Sequence, residues 1–252
     1  MIISPHLPPS THIVMPRPRS DYLFFWRPQD TNGWASQWYR SPFTAPLSVA
    51  IPHASSTPYT FPTAEHWMMA CKAALFSDTS TLELILEETA NPSTDPKHIK
   101  ALGRMISPFD EETWVAHREE IVYFGNLCKF GQREELRERL VETGNLILVE
   151  ASPYDRIWGV GFKEDRAMRE RGRWGLNLLG KALMRVREEL VKGESVKEES
   201  MEEEPIKEES MEEESTKEES TKEESIKEES MEESVTEESV MEGQDPEATA
   251  RL

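Results

Sequence analysis

Apolar residues recur along this chain with two periods, and the change from one to the other marks out its elements. Tyr22-Leu23-Phe24-Phe25-Trp26 is a short continuous run of β-preferring residues and predicts a strand. Asn32-Gly33 is a turn signal, and Trp34 to Tyr39 forms a second aromatic segment. A Pro/Ser-rich connection from Pro42 to Pro58 leads to Tyr59-Thr60-Phe61. Thr63 then reads as the N-cap of a helix reaching Phe76, with Trp67, Met68, Cys71 and Leu75 facing inward. On the adjoining face Glu65, Met69, Lys72 and Phe76 repeat in steps of four, three and four. Glu65 and Lys72 are thus two turns apart, about 10 Å at ~1.5 Å per residue, a spacing that suits the two ends of one extended ligand.

Helical periodicity continues. Ser80-x-x-Glu83 is a capping box ahead of Leu82, Ile85, Leu86 and Thr89, and Asn91-Pro92 stops that helix. Asp95 with Pro96 behind it starts the next, which carries Ile99, Leu102 and Ile106 as far as Pro108 and leaves Lys100 and Arg104 off the apolar stripe. Asp110 to Phe130 is the longest periodic segment, and the steps between Trp114, His117, Ile121, Phe124 and Cys128 predict a central helix with those residues inward. Glu134 to Thr143 is shorter and ends on Gly144. Leu146 to Val149 predicts a buried strand, and Leu176, Leu179, Leu183, Val186 and Leu190 predict a closing helix.

Between that strand and that helix runs Glu150-Ala-Ser-Pro-Tyr-Asp155-Arg-Ile-Trp158-Gly159-Val-Gly161. It gathers carboxyls, an indole and two glycines on a loop leaving a rigid element, the usual place for a ligand site.

Charge divides the chain in a second way. Of 48 acidic residues 24 fall in residues 193–252, against only 6 of 29 basic ones, so the net charge of −19 belongs almost wholly to that tail. The first 192 residues are nearly neutral, hold all 7 Trp and both Cys, and offer no basic footprint for tight non-specific nucleic-acid binding. The expected organisation is a flexible arm over 1–20, with five prolines, one α+β domain over 21–191, mainly helical with a small sheet, and a disordered acidic tail over 192–252. The five-residue repeat of Val196-Lys-Glu-Glu-Ser200 and its successors cannot bury a core. Its aliphatic-Lys-x-Glu units resemble SUMO acceptor sites, and Ser200, Ser210, Ser220 and Ser230 precede acids as acidophilic kinases prefer. The tail is therefore expected to solvate the domain, and modification or the binding of regulatory proteins is the alternative. Cys71 and Cys128 lack metal-ligand spacing, which predicts no metal site and an intracellular, cytoplasmic or nuclear location. No apolar run approaches the ~20 residues that span a bilayer.

Six ordered motifs carry a family resemblance: Pro62-Thr-Ala-Glu65-His66-Trp-Met-Met-Ala-Cys-Lys72-Ala, Leu102-Gly103-Arg104, Trp114-x-x-x-Arg118, Lys129-Phe130, Glu150-Ala-Ser-x-x-Asp155-x-x-Trp158-Gly159-x-Gly161, and Gly175-x-Asn177-x-Leu179-Gly180. From about Tyr22 to Leu190 the chain resembles the NADAR family, the YbiA-like N-glycosidases. The resemblance implies hydrolysis, without a cofactor, of the bond between a ribose and a nitrogenous base. The substrate would be a small nucleotide-like phosphoribosylaminopyrimidine of riboflavin synthesis, or ADP-ribosylated guanine. A non-catalytic module binding NAD or ADP-ribose is the competing expectation, and convergence of Glu65 with Asp155 discriminates between the two.

Such hydrolysis needs a carboxylate near an oxocarbenium-like centre, help for the departing base, and cations for phosphate. Glu65 is the candidate carboxylate, as base or electrostatic stabiliser, although a first-turn acid also simply favours a helix N-terminus. Asp155 is the second acid/base group. Lys72 is expected either to hold phosphate or to attack the opened sugar as an amine. Trp158 is the preferred stacking partner for the base, ahead of Trp114, which sits on an apolar stripe. Arg104, Arg118 and Lys129 are candidate phosphate contacts. Glu150 would orient a neighbour at the strand exit, Gly159, one of two flexible glycines of the loop, would contact substrate, and Asn177 would bond a ribose hydroxyl or cap the closing helix.

Overall fold

The fold is that of a computed structural model in which residues 17–91 and 93–202 are described. In chain order these form β1 (Tyr22–Phe25), β2 (Phe43–Pro46), β3 (Pro58–Phe61), α1 (Ala64–Leu75), α2 (Thr79–Ala90), α3 (Pro96–Leu102), α4 (Glu111–Gly131), α5 (Glu134–Glu142), β4 (Ile147–Glu150), α6 (Glu164–Ala167) and α7 (Leu178–Glu202). The domain is mainly helical, with two small sheets rather than one. The flexible arm over 1–20 and the acidic repeat tail were expected on residues that lie largely outside the described ones. α7 itself runs to Glu202, past Val191 where the domain was expected to close.

β1 and β4 pair in parallel, Tyr22 with Ile147 and Phe25 with Glu150, so the two strands end side by side. Both faces are covered, as parallel strands require. Phe25 and Leu148 enter the main core, while Tyr22, Phe24 and Val149 pack with Val160 and Ala167 in a second, smaller one. β2 and β3 form the other sheet, antiparallel, with Phe43 opposite Phe61. A strand inside the Pro/Ser-rich connection was not expected. Phe43 and Ala45 point inward there, Thr44 bonds Thr60 across the pair at 2.8 Å, and Pro46 ends the strand where no ladder donor is needed. Gln132 closes the outer edge of β2, bonding both the N–H and the C=O of Thr44.

α4 is central, packing against α1, α5, α7 and β2, and α1 is buried along more of its length. Every residue from Ala64 to Cys71 is buried, and Gly125 of α4 is where the Trp67 ring lies, at 2.2 Å from any Cβ that might be added. The Trp67 indole donates to the Ile121 carbonyl at 2.8 Å, so the largest buried ring leaves no donor unpaired. The α4 face differs from the expected one. Arg118, Ile121, Val122, Asn126 and Lys129 are buried, whereas His117 is exposed and Trp114, Phe124 and Cys128 are only half-buried. α2 starts earlier than the capping box suggests because Asp78 is its cap, accepting from the Thr81 N–H at 3.0 Å and taking up the Ser80 hydroxyl as well. α3 ends at Leu102, short of Ile106, and α7 begins after Leu176, which is exposed.

Candidate active site

Because β1 and β4 run in parallel and end together, Trp26 to Pro28 and Ala151 to Asp155 leave the sheet at one place. Ligands characteristically bind outside the carboxyl ends of parallel strands. A cleft of about 440 Å³ opens there, lined by Trp26, Arg27, Trp38, Glu65, Met68, Lys100, Arg104, Glu150, Ser152, Tyr154, Asp155 and Trp158 among others. Five of the sequence-predicted residues meet in it: Glu65, Arg104, Glu150, Asp155 and Trp158.

Glu65 reaches the cleft from the first turn of α1. Its N–H donates to the Gln37 carbonyl at 3.1 Å, and the Trp38 side chain hydrogen-bonds its carboxyl. Oε1 is buried without a partner. Burial raises the Glu65 carboxyl to about 7; Lys100 opposes that rise and Asp155 adds to it. Glu150 stands at the end of β4, its carboxyl raised to about 8 by burial and then by the nearby Asp155 charge, again with Lys100 opposing. Three carboxyls thus share one cleft with three cations, Arg27, Lys100 and Arg104, and burial poises the two glutamates to exchange protons near neutral pH.

Asp155 organises its own loop. Its Oδ1 accepts from the Ile157 and Trp158 N–H groups at 2.8 and 2.7 Å. That turn presents Trp158, while Tyr154, 87% exposed, stands 6.2 Å from the Trp26 ring at the rim. Gly159 keeps the loop close: a Cβ there would lie 2.7 Å from the Glu150 carbonyl and 3.4 Å from its Cγ.

The remaining predicted residues do not line the cleft. The Lys72 ammonium donates to the Gly103 carbonyl at 2.8 Å and lies over the Phe109 and Trp114 rings, which braces the turn that ends in Arg104. Its pKa is lowered by burial. Lys129 is fully buried and donates to the Trp34 and Ser36 carbonyls at 3.0 and 3.1 Å; burial brings its ammonium down to about 7. Together with Asn126, which donates to the Gln37 side chain at 2.9 Å, it fixes the segment carrying Trp38. Arg118 is buried in the face of α4. Asn177 turns its amide toward β4, not toward the cleft. Its side-chain oxygen accepts from the Glu150 N–H and its nitrogen donates to the Leu148 carbonyl.

Sequence reasoning missed Lys100, Trp26, Arg27, Trp38 and Tyr154 as lining residues. Lys100 and Arg104 had a legible signal, since they lie four apart and off the apolar stripe. Trp26 and Trp38 had none, because only the pairing of β1 with β4 and the packing of α4 bring them to Glu65. No cluster of His, Cys, Asp and Glu among the described residues could hold a metal ion, and no described helix is long and apolar enough to cross a membrane.

Residues 24–191 match the NADAR domain. An N-glycosidase of Acanthamoeba polyphaga mimivirus is 44% identical over 128 residues, 50% of this chain and 72% of that protein. A chloroplastic riboflavin biosynthesis protein of Zea mays is 28% identical over 151 residues, 58% of this chain but 22% of its own length. The NMR structure of the E. coli protein YbiA superposes with a TM-score of 0.52 at 26% identity, covering 69% of this chain and 87% of the other.

Proposed function

The chain belongs to the NADAR family, and from that premise we propose that it hydrolyses the N-glycosidic bond between a ribose and a nitrogenous base in a substrate that also carries phosphate. The observation that carries this reading is the meeting of Glu65, Glu150 and Asp155 in one cleft opposite Lys100 and Arg104. A module that only binds nucleotides has no use for several buried carboxyls at the reacting end, where they repel phosphate and each costs burial energy. A glycosidase does, because carboxyls stabilise positive charge at C1′ and move protons.

In this reading the ionised Glu65 carboxyl faces the anomeric carbon and receives a proton from the attacking water. Lys100 and Arg104, at the end of α3, hold phosphate. Trp158, with Trp26 and Tyr154 at the rim, stacks the base, and a second carboxyl of the cleft protonates it as it leaves. ADP-ribosylated guanine and a phosphoribosylaminopyrimidine share this ribose-phosphate chemistry. Incubating the protein with each and following free base separates them. Release from one or both by the wild type, lost in Glu65→Gln, is the expected result; tight binding with no release from either would replace the hydrolase with a binding module.

A further inference from the structure

The carboxyls of the cleft differ in how they are held. Asp155 commits Oδ1 to two backbone N–H groups of its own turn. Glu65 accepts a hydrogen bond from Trp38, which favours its ionised form. Glu150 is fastened through its backbone alone: the N–H to the Asn177 side chain at 3.0 Å, the carbonyl to the Val160 N–H at 2.9 Å. Gly159 lies against its Cγ. Yet Oε2 is enclosed and has no hydrogen-bond partner, although the residue lines the cleft. An unpaired buried carboxyl oxygen is costly, by about 1–3 kcal/mol. Glu65 also leaves Oε1 unpartnered, but its carboxyl accepts the Trp38 bond, whereas no side chain or backbone group among the described residues bonds the Glu150 carboxyl.

We propose that Glu150 is the general acid of this site, its Oε2 hydroxyl protonating the base nitrogen as the glycosidic bond breaks. The proposal deepens the N-glycosidase reading and rests on it. The bonding pair of C1′–N leaves with the base, and the Glu150 proton goes to that nitrogen. A water oxygen bonds to C1′ and one of its protons passes to the Glu65 carboxylate. Glu65 is then protonated and Glu150 ionised, and transfer of that proton back to Glu150, through solvent, restores the starting state. Water has been added across one bond with no other reactant. Burial raises both carboxyls, and the Trp38 hydrogen bond, which Glu65 accepts and Glu150 lacks, favours ionisation of Glu65 over Glu150, the division of labour that the two steps require. Asp155 then serves as a positioning residue for the Trp158 turn.

The test compares wild type and Glu150→Gln on two substrates, ADP-ribosylated guanine and 4-nitrophenyl riboside 5-phosphate, whose leaving group departs without being protonated. Glutamine keeps the size of the side chain but has no proton to give. The expected result is a kcat lower by about 100-fold or more on the guanine conjugate and within about 3-fold of wild type on the nitrophenyl substrate. Equal losses on both substrates, or no loss on either, would overturn the assignment. If Glu150→Gln does not fold, the wild type decides through a series of leaving groups: rates nearly independent of leaving-group pKa support an acid, and a steep dependence excludes one. A wild type that releases no base from any substrate refutes the glycosidase reading itself, an outcome distinct from an active wild type with an equally active Glu150→Gln.

Discussion

Asn177 holds Glu150 in place through its own side chain: its oxygen accepts the Glu150 N–H at 3.0 Å, and its nitrogen donates to the Leu148 carbonyl at 2.9 Å. Its φ of 50° lies in the left-handed region that asparagine tolerates better than most residues. Asn177→Ala loses both bonds and strands two buried backbone groups. It should lower stability by about 2–4 kcal/mol in denaturant titration, and base release should fall even at temperatures where the variant stays folded.

Glu65 ties stability to pH. Its carboxyl titrates at about 7 in the fold against 4.5 as a free group, so the folded chain binds that proton more tightly than the unfolded chain. The associated stability is fully present below about pH 4.5 and is lost as pH rises through 7, at up to about 1.4 kcal/mol per pH unit. Glu65→Gln removes the titration. Melting curves should show the variant more stable than wild type at pH 8 and level with it near pH 4.5, while its turnover is abolished throughout.

Lys100 is the main charge that opposes the rise of the Glu65 and Glu150 carboxyls. Lys100→Ala should push both still higher, moving the acid limb of the rate profile toward alkaline pH. The same variant should raise KM about 10-fold for a phosphate-bearing substrate through loss of a charge-assisted contact, and a salt titration should show the wild type losing this advantage.

Gly159 lies against the carbonyl and Cγ of Glu150. Gly159→Ala forces one of the two to move and should lower kcat at least 10-fold. An unaltered kcat would show that the Glu150 side chain is not positioned by this contact.

Lys129 acts at a distance from the cleft. Lys129→Met fills the same space with apolar atoms but leaves the Trp34 and Ser36 carbonyls without their donor. The segment carrying Trp38 should loosen, detected as faster amide hydrogen exchange over residues 33–38 and as a weaker Trp38 bond to Glu65, with kcat reduced.

Particular residues show where the sequence was legible. Asp95 announced its helix correctly, because an N-cap bonds a backbone N–H two or three residues away and is wholly local. Gly144 did the same at the end of α5, with φ 51°. The α4 face was misread for the opposite reason. Lys129 and Asn126 look like solvent-facing residues, and their partners, Trp34, Ser36 and Gln37, lie about 90 residues earlier in the chain. β2 was missed because four residues with a proline carry too little periodicity, and it exists by pairing with β3.

The sequence by itself determined the longer helices, the caps at Asp95 and Gly144, the strand that leads to Glu150, the near-neutral first 192 residues with the acidic repeat after them, and the motifs shared with the family. Each depends on neighbours within a turn or two, or on residue identity alone. Only the tertiary structure decided which side chains share the cleft. Parallel pairing of Phe25 with Glu150 brings Trp26 beside Asp155, and burial of α1 sets Glu65 facing both. The same packing seats Lys72 and Lys129 on backbone carbonyls, outside the residues that line the cleft. Contacts across more than 80 residues of chain leave no periodic trace, so the composition of the cleft had to wait for the fold.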